Sequence, residues 1–292
     1  VADGADFATC VAQVLAQAQA AGLDRLDAQV LLLHLLGRPH ERAWLIAHDD
    51  QHLAPDLAQP YAELCARRLA GEPVAYLCGE KEFFGLKLAV DARVLVPRPD
   101  TEVLVEWALS LPLPQAARVI DLGTGSGAMA LALKHSRPAW QISAVDASEA
   151  ALQVARANGQ ALGLDLEWRM GDWLGQVTGP FDLIVSNPPY IAEDDPHLPA
   201  LRHEPRMALS AGPQGLDALR ILIAQAPSRL APGGWLLLEH GHDQAPAVRG
   251  LLADAGLVEV QGRLDLAGIE RCSGARLSPA APDRSREIGQ GG

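Results

Sequence analysis

Arg118-Val119-Ile120-Asp121-Leu122-Gly123-Thr124-Gly125-Ser126-Gly127-Ala128-Met129-Ala130 is the stretch whose reading decides the fold. An apolar run carries an acid, three alternate glycines follow, and an Ala- and Leu-rich stretch begins at once. That order reads as strand, tight turn and helix. Glycines tolerate turn conformations closed to other residues and let a ligand approach the backbone without a Cβ in the way. The exposed amides at the start of the helix favour an anionic group.

Outward from this turn, strands and helices alternate. Expected strands lie at 118–122, 141–145, 166–170, 181–186, 234–239 and 257–262, with helices at 127–135, 148–162, 215–230 and 244–255. Such alternation means a mainly parallel sheet covered on both faces by helices, an α/β fold of Rossmann-like type. The unbroken apolar runs Leu183-Ile184-Val185 and Trp235-Leu236-Leu237-Leu238 suit central strands buried on both sides. Upstream, residues 1–75 read as a small bundle of four or five helices. Apolar positions recur there at three- and four-residue steps in 26–36 and 57–69, an Ala- and Gln-rich helix is expected over 8–20, and breaks fall at Gly22, Gly37-Arg38-Pro39 and Pro55. Between them, 83–90 and 94–96 read as two short strands joined by a turn, and 100–111 as a helix with Val103, Leu104, Trp107 and Leu111 on one face. The expected organisation is a helical domain at 1–75, a β-hairpin linker at 76–97, a catalytic domain at 98–278 and a disordered tail at 279–292 rich in Pro, Ala, Arg and Gly.

Composition narrows the classes. The 292 residues are 49% hydrophobic and 21% charged, an ordinary globular balance. No apolar run reaches the roughly 18 residues of a membrane span, and the first residues show no basic segment leading into an apolar one, so neither membrane nor secretion is expected. Cys10, Cys65, Cys78 and Cys272 are scattered without a Cys-x-x-Cys pair, which argues against zinc or a disulfide framework and fits a cytoplasmic protein. A net charge of −12 lowers the expectation of a bare nucleic-acid backbone as main partner.

Asp146 ends the second strand, where a carboxylate can accept from both ribose hydroxyls. The glycine turn and Asp146 alone leave the cofactor open, because Gly125-Ser126-Gly127-Ala128-Met129-Ala130 also satisfies the dinucleotide fingerprint in its G-x-G-x-x-A form. Asp121, which leads the glycines, and Asp172 in Gly171-Asp172-Trp173 tilt the choice. Asp172 is placed to accept from an adenine amino group, and Trp173 can cover the ring. Three strand-end acids serving one nucleoside fit S-adenosylmethionine better than a dinucleotide.

Ser186-Asn187-Pro188-Pro189-Tyr190 follows the buried stretch 181–185 directly, at the sheet edge where open α/β folds bind ligands. An amide or aromatic-amine nitrogen is a poor nucleophile because its lone pair is delocalised. The Asn187 side-chain oxygen and the Pro188 carbonyl suit the N–H groups of such a nitrogen. The prolines fix the backbone without competing donors, and Tyr190 offers a flat surface. Methyl transfer to a planar nitrogen is the chemistry these residues suit. His203-Glu204-Pro205 starts like a zinc-protease helix, but Met207 stands where the second His is needed, so no metal is expected. His240 and His242 read as structural, Phe83-Phe84 as packing, and Arg98 as ordering the joint between domains.

Taken together, Phe83-Phe84-Gly85, Val96-Pro97-Arg98-Pro99-Asp100-Thr101-Glu102, the glycine turn, Val185-Ser186-Asn187-Pro188-Pro189-Tyr190-Ile191, His203-Glu204-Pro205, and Gly234-Trp235-Leu236-Leu237-Leu238-Glu239-His240-Gly241 resemble the HemK/PrmC family, the glutamine methyltransferases of peptide chain release factors. The resemblance runs on to Asp265-Leu266-Ala267-Gly268. It implies a seven-stranded methyltransferase sheet behind a helical substrate-recognition domain. It implies transfer from S-adenosyl-L-methionine, leaving S-adenosyl-L-homocysteine, to the side-chain nitrogen of the Gln in the Gly-Gly-Gln loop of class 1 release factors. Asp121, Gly123, Thr124, Gly125, Ser126, Gly127, Asp146, Asp172, Trp173 and Asn187 are the expected cofactor residues. Asn187, Pro188, Pro189 and Tyr190 are the expected catalytic set, on a monomer without direct nucleic-acid contact. The alternatives are glutamine methylation of a large-subunit ribosomal protein, and exocyclic-amine methylation of DNA or RNA. The latter calls for a basic reading face that residues 1–75 lack.

Overall fold

The computed structural model describes residues 10–279. Five helices come first: α1 (Val11–Ala20), α2 (Arg25–Leu35), α3 (Arg42–Ala47), α4 (Pro55–Leu69) and α5 (Val74–Cys78). Residues 8 and 9 of the helix expected over 8–20 lie outside the described residues. Asp24 starts α2 by accepting from the Leu26 amide at 2.7 Å, satisfying one of the donors a helix start leaves free. Val11, Leu31, Leu32, Leu45 and Tyr61 form the bundle core, and the Tyr61 hydroxyl reaches the Ala28 carbonyl at 3.0 Å, so its burial leaves no polar atom unpaired.

Next comes an antiparallel hairpin, β1 (Glu80–Phe83) and β2 (Leu86–Ala89), which corrects the expected strand pair. The turn falls inside the stretch expected as one strand. Phe84 and Gly85 have φ of 50° and 76°, the left-handed pair a two-residue hairpin turn requires. The β-favouring Phe-Phe pair masked the turn, and Gly85 was its one signal. Residues 94–96 form no strand. Val94 and Val96 do alternate inward, but no partner strand lies beside them.

The remaining elements are α6 (Glu102–Ser110), β3 (Arg118–Leu122), α7 (Ala128–Ser136), β4 (Gln141–Asp146), α8 (Glu149–Leu162), β5 (Glu167–Met170), β6 (Phe181–Ser186), α9 (Asp217–Gln225), β7 (Leu230–Glu239), α10 (Ala245–Asp254), β8 (Val258–Leu264) and β9 (Glu270–Arg276). One seven-stranded sheet runs β5-β4-β3-β6-β7-β9-β8, parallel except for β9, which is antiparallel to both neighbours. The central strands alternate between two cores, as their two-residue period demands. Val119, Leu183, Val185, Trp235 and Leu237 meet Leu104 and Trp107 of α6 and Leu131 and Leu133 of α7. Ile120, Leu122, Ile184, Leu236 and Leu238 meet Leu219 and Leu222 of α9 and Val248 and Leu252 of α10. Phe83, Leu86 and Leu88 of the hairpin join the first core, while Val94 and Val96 pack with Ala151 and Val154 of α8.

Periodicity had announced six of these strands and missed β9. Its centre, Cys272-Ser273-Gly274-Ala275, is small rather than hydrophobic, yet wholly buried. The reason is crowding. A Cβ on Gly274 would stand 2.5 Å from Leu237 Cδ2 and 2.7 Å from the Trp107 ring. Gly274→Ala is therefore expected to lower the unfolding free energy by about 1–3 kcal/mol, the usual cost of overpacking. Urea titration reads it, and an unchanged midpoint would show that Leu237 and Trp107 yield freely.

Candidate active site

In the sheet order the chain moves from β3 outward to β4 and β5, then crosses back to β6. Adjacent strand ends therefore diverge at β3, and a crevice opens there. Gly123, Gly125, Asp146, Asp172, Trp173, Asn187 and Pro189 line it. The glycine turn is held from beside and from beneath. The Gly123 and Thr124 amides donate to the Val145 carbonyl at 2.8 and 3.0 Å. Asp146 accepts from the Gly125 amide through one oxygen and from the Ser148 amide through the other, both at 2.8 Å. Burial nevertheless raises its pKa. Trp173, with φ of 50°, lays its ring over Gly123, where a Cβ would come within 3.4 Å of it.

Not every expected cofactor residue reaches the open side. Asp121, Thr124 and Ser126 are buried and do not line the crevice. Asp121 accepts from the Thr124 hydroxyl at 2.6 Å, and Ser126 offers its carbonyl to Asn158 at 2.9 Å. Gly127 is a packing position, since a Cβ there would lie 3.1–3.2 Å from Leu131, Trp168 and Ala155. Asn158, unforeseen in the sequence, also makes two bonds to the Ala89 backbone, at 2.8 and 3.0 Å, and so ties the hairpin to the glycine turn through α8.

The Asn-Pro-Pro-Tyr segment leaves β6 beside this turn. Pro188 is buried, while Asn187, Pro189 and Tyr190 are half-buried. The Asn187 amide nitrogen donates to Thr101 Oγ1 at 3.2 Å. The Tyr190 hydroxyl donates to Glu239 Oε1 at 3.2 Å, and its backbone carbonyl accepts from Gln244 at 2.9 Å. Burial raises the Tyr190 phenol well above its ordinary value. Burial also pushes the Glu239 carboxyl up to about 7, against the Thr101 and Tyr190 hydroxyls that hydrogen-bond to it.

A larger cleft of about 950 Å³ opens on the other side of Asn187. Bundle residues such as Leu26, Asp27, Val30 and His34 form one wall, and Arg98, Tyr190 and Glu204 belong to the other. Glu204 is a buried clamp here. It accepts from the Val96 amide at 3.1 Å and from Arg98 at 2.6 Å, so Arg98 serves the joint while also facing the cleft. His203 approaches the Ala70 carbonyl of the bundle at 3.1 Å. The His-Glu-Pro motif thus fastens the loop before α9 to the bundle and the hairpin segment. Among the described residues no group of three or more His, Cys, Asp or Glu side chains could hold a metal. His240 is wholly buried, within 2.8 Å of Ser273 Oγ, and burial lowers its pKa. Leu95, Asn187 and Ala208 line both clefts, and of these only Asn187 has a polar side chain.

Two family models match the chain. The PrmC N-terminal domain covers residues 9–79 and the methyltransferase small domain covers 99–203. The chain is 52% identical over 261 residues to the release factor glutamine methyltransferase of Bordetella pertussis, spanning 88% of this chain and 96% of that one. It is 50% identical over 259 residues to the release factor glutamine methyltransferase of Xylella fastidiosa, spanning 87% and 94%. A solved methyltransferase from Pyrococcus furiosus superposes with a TM-score of 0.54 at 20% identity, over 75% of this chain and 99% of that one, a likeness of fold.

Burial pushes the Asp121 carboxyl up to about 7, partly offset by the Thr124 hydroxyl. An acid that holds its proton more tightly when folded stabilises the fold below the ordinary carboxylate pKa, and this contribution is lost as pH rises through about 7. Asp121→Asn keeps an acceptor for Thr124 and removes the titration. Urea unfolding at about pH 5 and about pH 8 should then show a smaller loss of stability on raising pH than in the parent protein. Equal losses would mean that Asp121 titrates like an exposed carboxylate.

Proposed function

This chain belongs to the release factor glutamine methyltransferase family, and we infer from that premise that it methylates the side-chain amide nitrogen of the Gln in the Gly-Gly-Gln motif of class 1 peptide chain release factors. The observation that carries the reading is the position of Asn187, the one polar side chain lining both clefts. An acceptor presented through the larger cleft meets there the group that the smaller cleft holds.

The smaller cleft has the residues an S-adenosylmethionine molecule calls for. Gly123 and Gly125 leave the backbone open to it, Asp146 has lone pairs beyond its two amide bonds for ribose hydroxyls, Asp172 can accept from the adenine amine, and Trp173 supplies an apolar wall. When bound, that cofactor supplies an electrophilic methyl group on a sulfonium and leaves as S-adenosylhomocysteine. Asp121, Thr124, Ser126 and Gly127 shape the turn from below.

The chain's own task is placement. Asn187 Oδ1 and the Pro188 carbonyl accept the two N–H bonds of the glutamine amide, and the Tyr190 ring bounds its plane. With both hydrogens held, the lone pair on nitrogen is left free and would face the methyl of a cofactor bound in the smaller cleft. No general base is needed, because the nitrogen becomes acidic once alkylated and its proton passes to water. Tyr190, its phenol raised by burial, stays protonated and keeps its bond to Glu239. Orientation of this kind contributes roughly 7–11 kcal/mol when reacting atoms are well aligned.

The division of labour follows the same lines. Residues 1–75 recognise the release factor, 76–97 set the bundle against the sheet, and 98–278 carry the chemistry. No helix among the described residues is long and apolar enough to cross a membrane. We place the enzyme in the cytoplasm with its protein substrate, as a monomer without direct nucleic-acid contact.

Labelled S-adenosylmethionine offered with a purified class 1 release factor, a large-subunit ribosomal protein and DNA in parallel tests the reading. A single methyl on the Gly-Gly-Gln glutamine, located by mass mapping, is expected. Label confined to ribosomal protein or DNA would overturn the substrate. Asn187→Ala should lower kcat by about 10²-fold or more, since misplacement of the amide forfeits orientation, and should leave cofactor affinity nearly intact. Asp146→Ala should weaken cofactor binding by about 10- to 100-fold, as expected for losing hydrogen bonds to a charged group. Isothermal titration separates the two variants, and unchanged affinity in the second would remove Asp146 from the cofactor site.

A further inference from the structure

An asparagine side chain is nearly symmetric in shape, and its two ends differ in hydrogen-bonding sense. Turned one way, Asn187 shows the cleft an acceptor. Turned the other way, it shows two N–H donors. Only the first can receive an N–H of an acceptor amide, so something must fix the choice. The chain of hydroxyls behind Asn187 does so.

Glu239, at the end of β7, is buried at 1% exposure, and once ionised, above about 7, its carboxylate offers acceptors alone. The Tyr190 hydroxyl donates to it at 3.2 Å, and the Thr101 hydroxyl hydrogen-bonds to it as well. Thr101 has a single hydroxyl hydrogen, and the ionised Glu239 is the acceptor that draws it. Toward Asn187 the Thr101 oxygen can therefore only accept. Asn187 meets that demand with its amide nitrogen at 3.2 Å, which leaves Oδ1 for the cleft. A flipped amide would set two acceptors, Oδ1 and Oγ1, against each other in a buried place.

We propose that Thr101 is a positioning residue: with Glu239 behind it, its hydroxyl sets which end of the Asn187 amide faces the acceptor nitrogen. The proposal rests on the role given to Asn187 above. Thr101 stands at the start of α6, is buried, and lines neither cleft. It acts through Asn187 and touches no substrate. Its position in Pro97-Arg98-Pro99-Asp100-Thr101-Glu102 gives that motif a second task, since Arg98 of the same run holds Glu204.

The test compares Thr101→Val, Thr101→Ser and Asn187→Ala in the full chain at about pH 8, where Glu239 is ionised, with release factor as substrate. Valine keeps the shape and removes the hydroxyl, while serine keeps the hydroxyl. Thr101→Val should lower kcat by about tenfold, the effect of removing a buried hydrogen-bond partner, with KM for the release factor and cofactor affinity changed by less than about threefold. Thr101→Ser should recover kcat to within about threefold of the parent. Full kcat in Thr101→Val beside an inactive Asn187→Ala overturns this proposal and leaves the reading of Asn187 standing. Full activity in Asn187→Ala overturns that reading first. If Thr101→Val does not fold, Thr101→Ala replaces it with the same expectations. A loss that serine fails to restore, accompanied by a lowered Tm, makes Thr101 a packing residue and ends the proposal.

Discussion

Across the break where β3 and β6 part, the Ser186 hydroxyl donates to the Leu122 carbonyl at 2.7 Å. Both atoms are buried at the ends of adjacent parallel strands, and the bond holds the exits of those strands in fixed relation. The glycine turn leaves from one and the Asn-Pro-Pro-Tyr segment from the other. A methyl donor and an acceptor bound to separate loops can react only if the loops keep their distance to within a fraction of an ångström. The parallel sheet sets that distance, because its ladder fixes the register of the two strands before either loop begins.

Three buried carboxylates extend this control beyond the strand ends. Asp121 braces the glycine turn through Thr124, Glu239 collects the hydroxyls of Thr101 and Tyr190, and Glu204 joins Arg98 to the Val96 amide. A buried acceptor without partners is expensive, so each of these groups imposes a geometry on the donors around it. Asp121 and Glu239 each keep one oxygen with no partner among the described side chains. Burial raises both pKa values, a mark of desolvated carboxyls gathered at a site rather than spread over a surface.

The places where sequence patterns misled have a common origin. Residues 94–96 alternate as a strand does, but they pack on α8 and Tyr76 instead of pairing with a neighbouring strand. The converse holds for β9, whose small residues lack a hydrophobic pattern because Leu237 and Trp107 already fill the space beside Gly274. Asp121 had the spacing of a ligand-binding acid and turned out to lie beneath the turn it supports. In each case the local pattern was present, and its meaning depended on a partner far away in the chain.

The sequence by itself determined the elements and their order, since helix and strand periods, glycine turns and proline breaks are written in neighbouring residues. It also determined the chemistry on offer, because the order of Gly123, Asp146, Asp172 and Asn187 along alternating strands brings them to one edge of a parallel sheet. Only the tertiary structure decided which of these residues face open space, and which distant groups hold them there. Thr101 is 86 positions from Asn187, Glu204 is 106 from Arg98, and Asn158 is 69 from Ala89. Such contacts leave no periodic trace in the chain, because a single hydrogen bond between two folded elements requires only one residue from each.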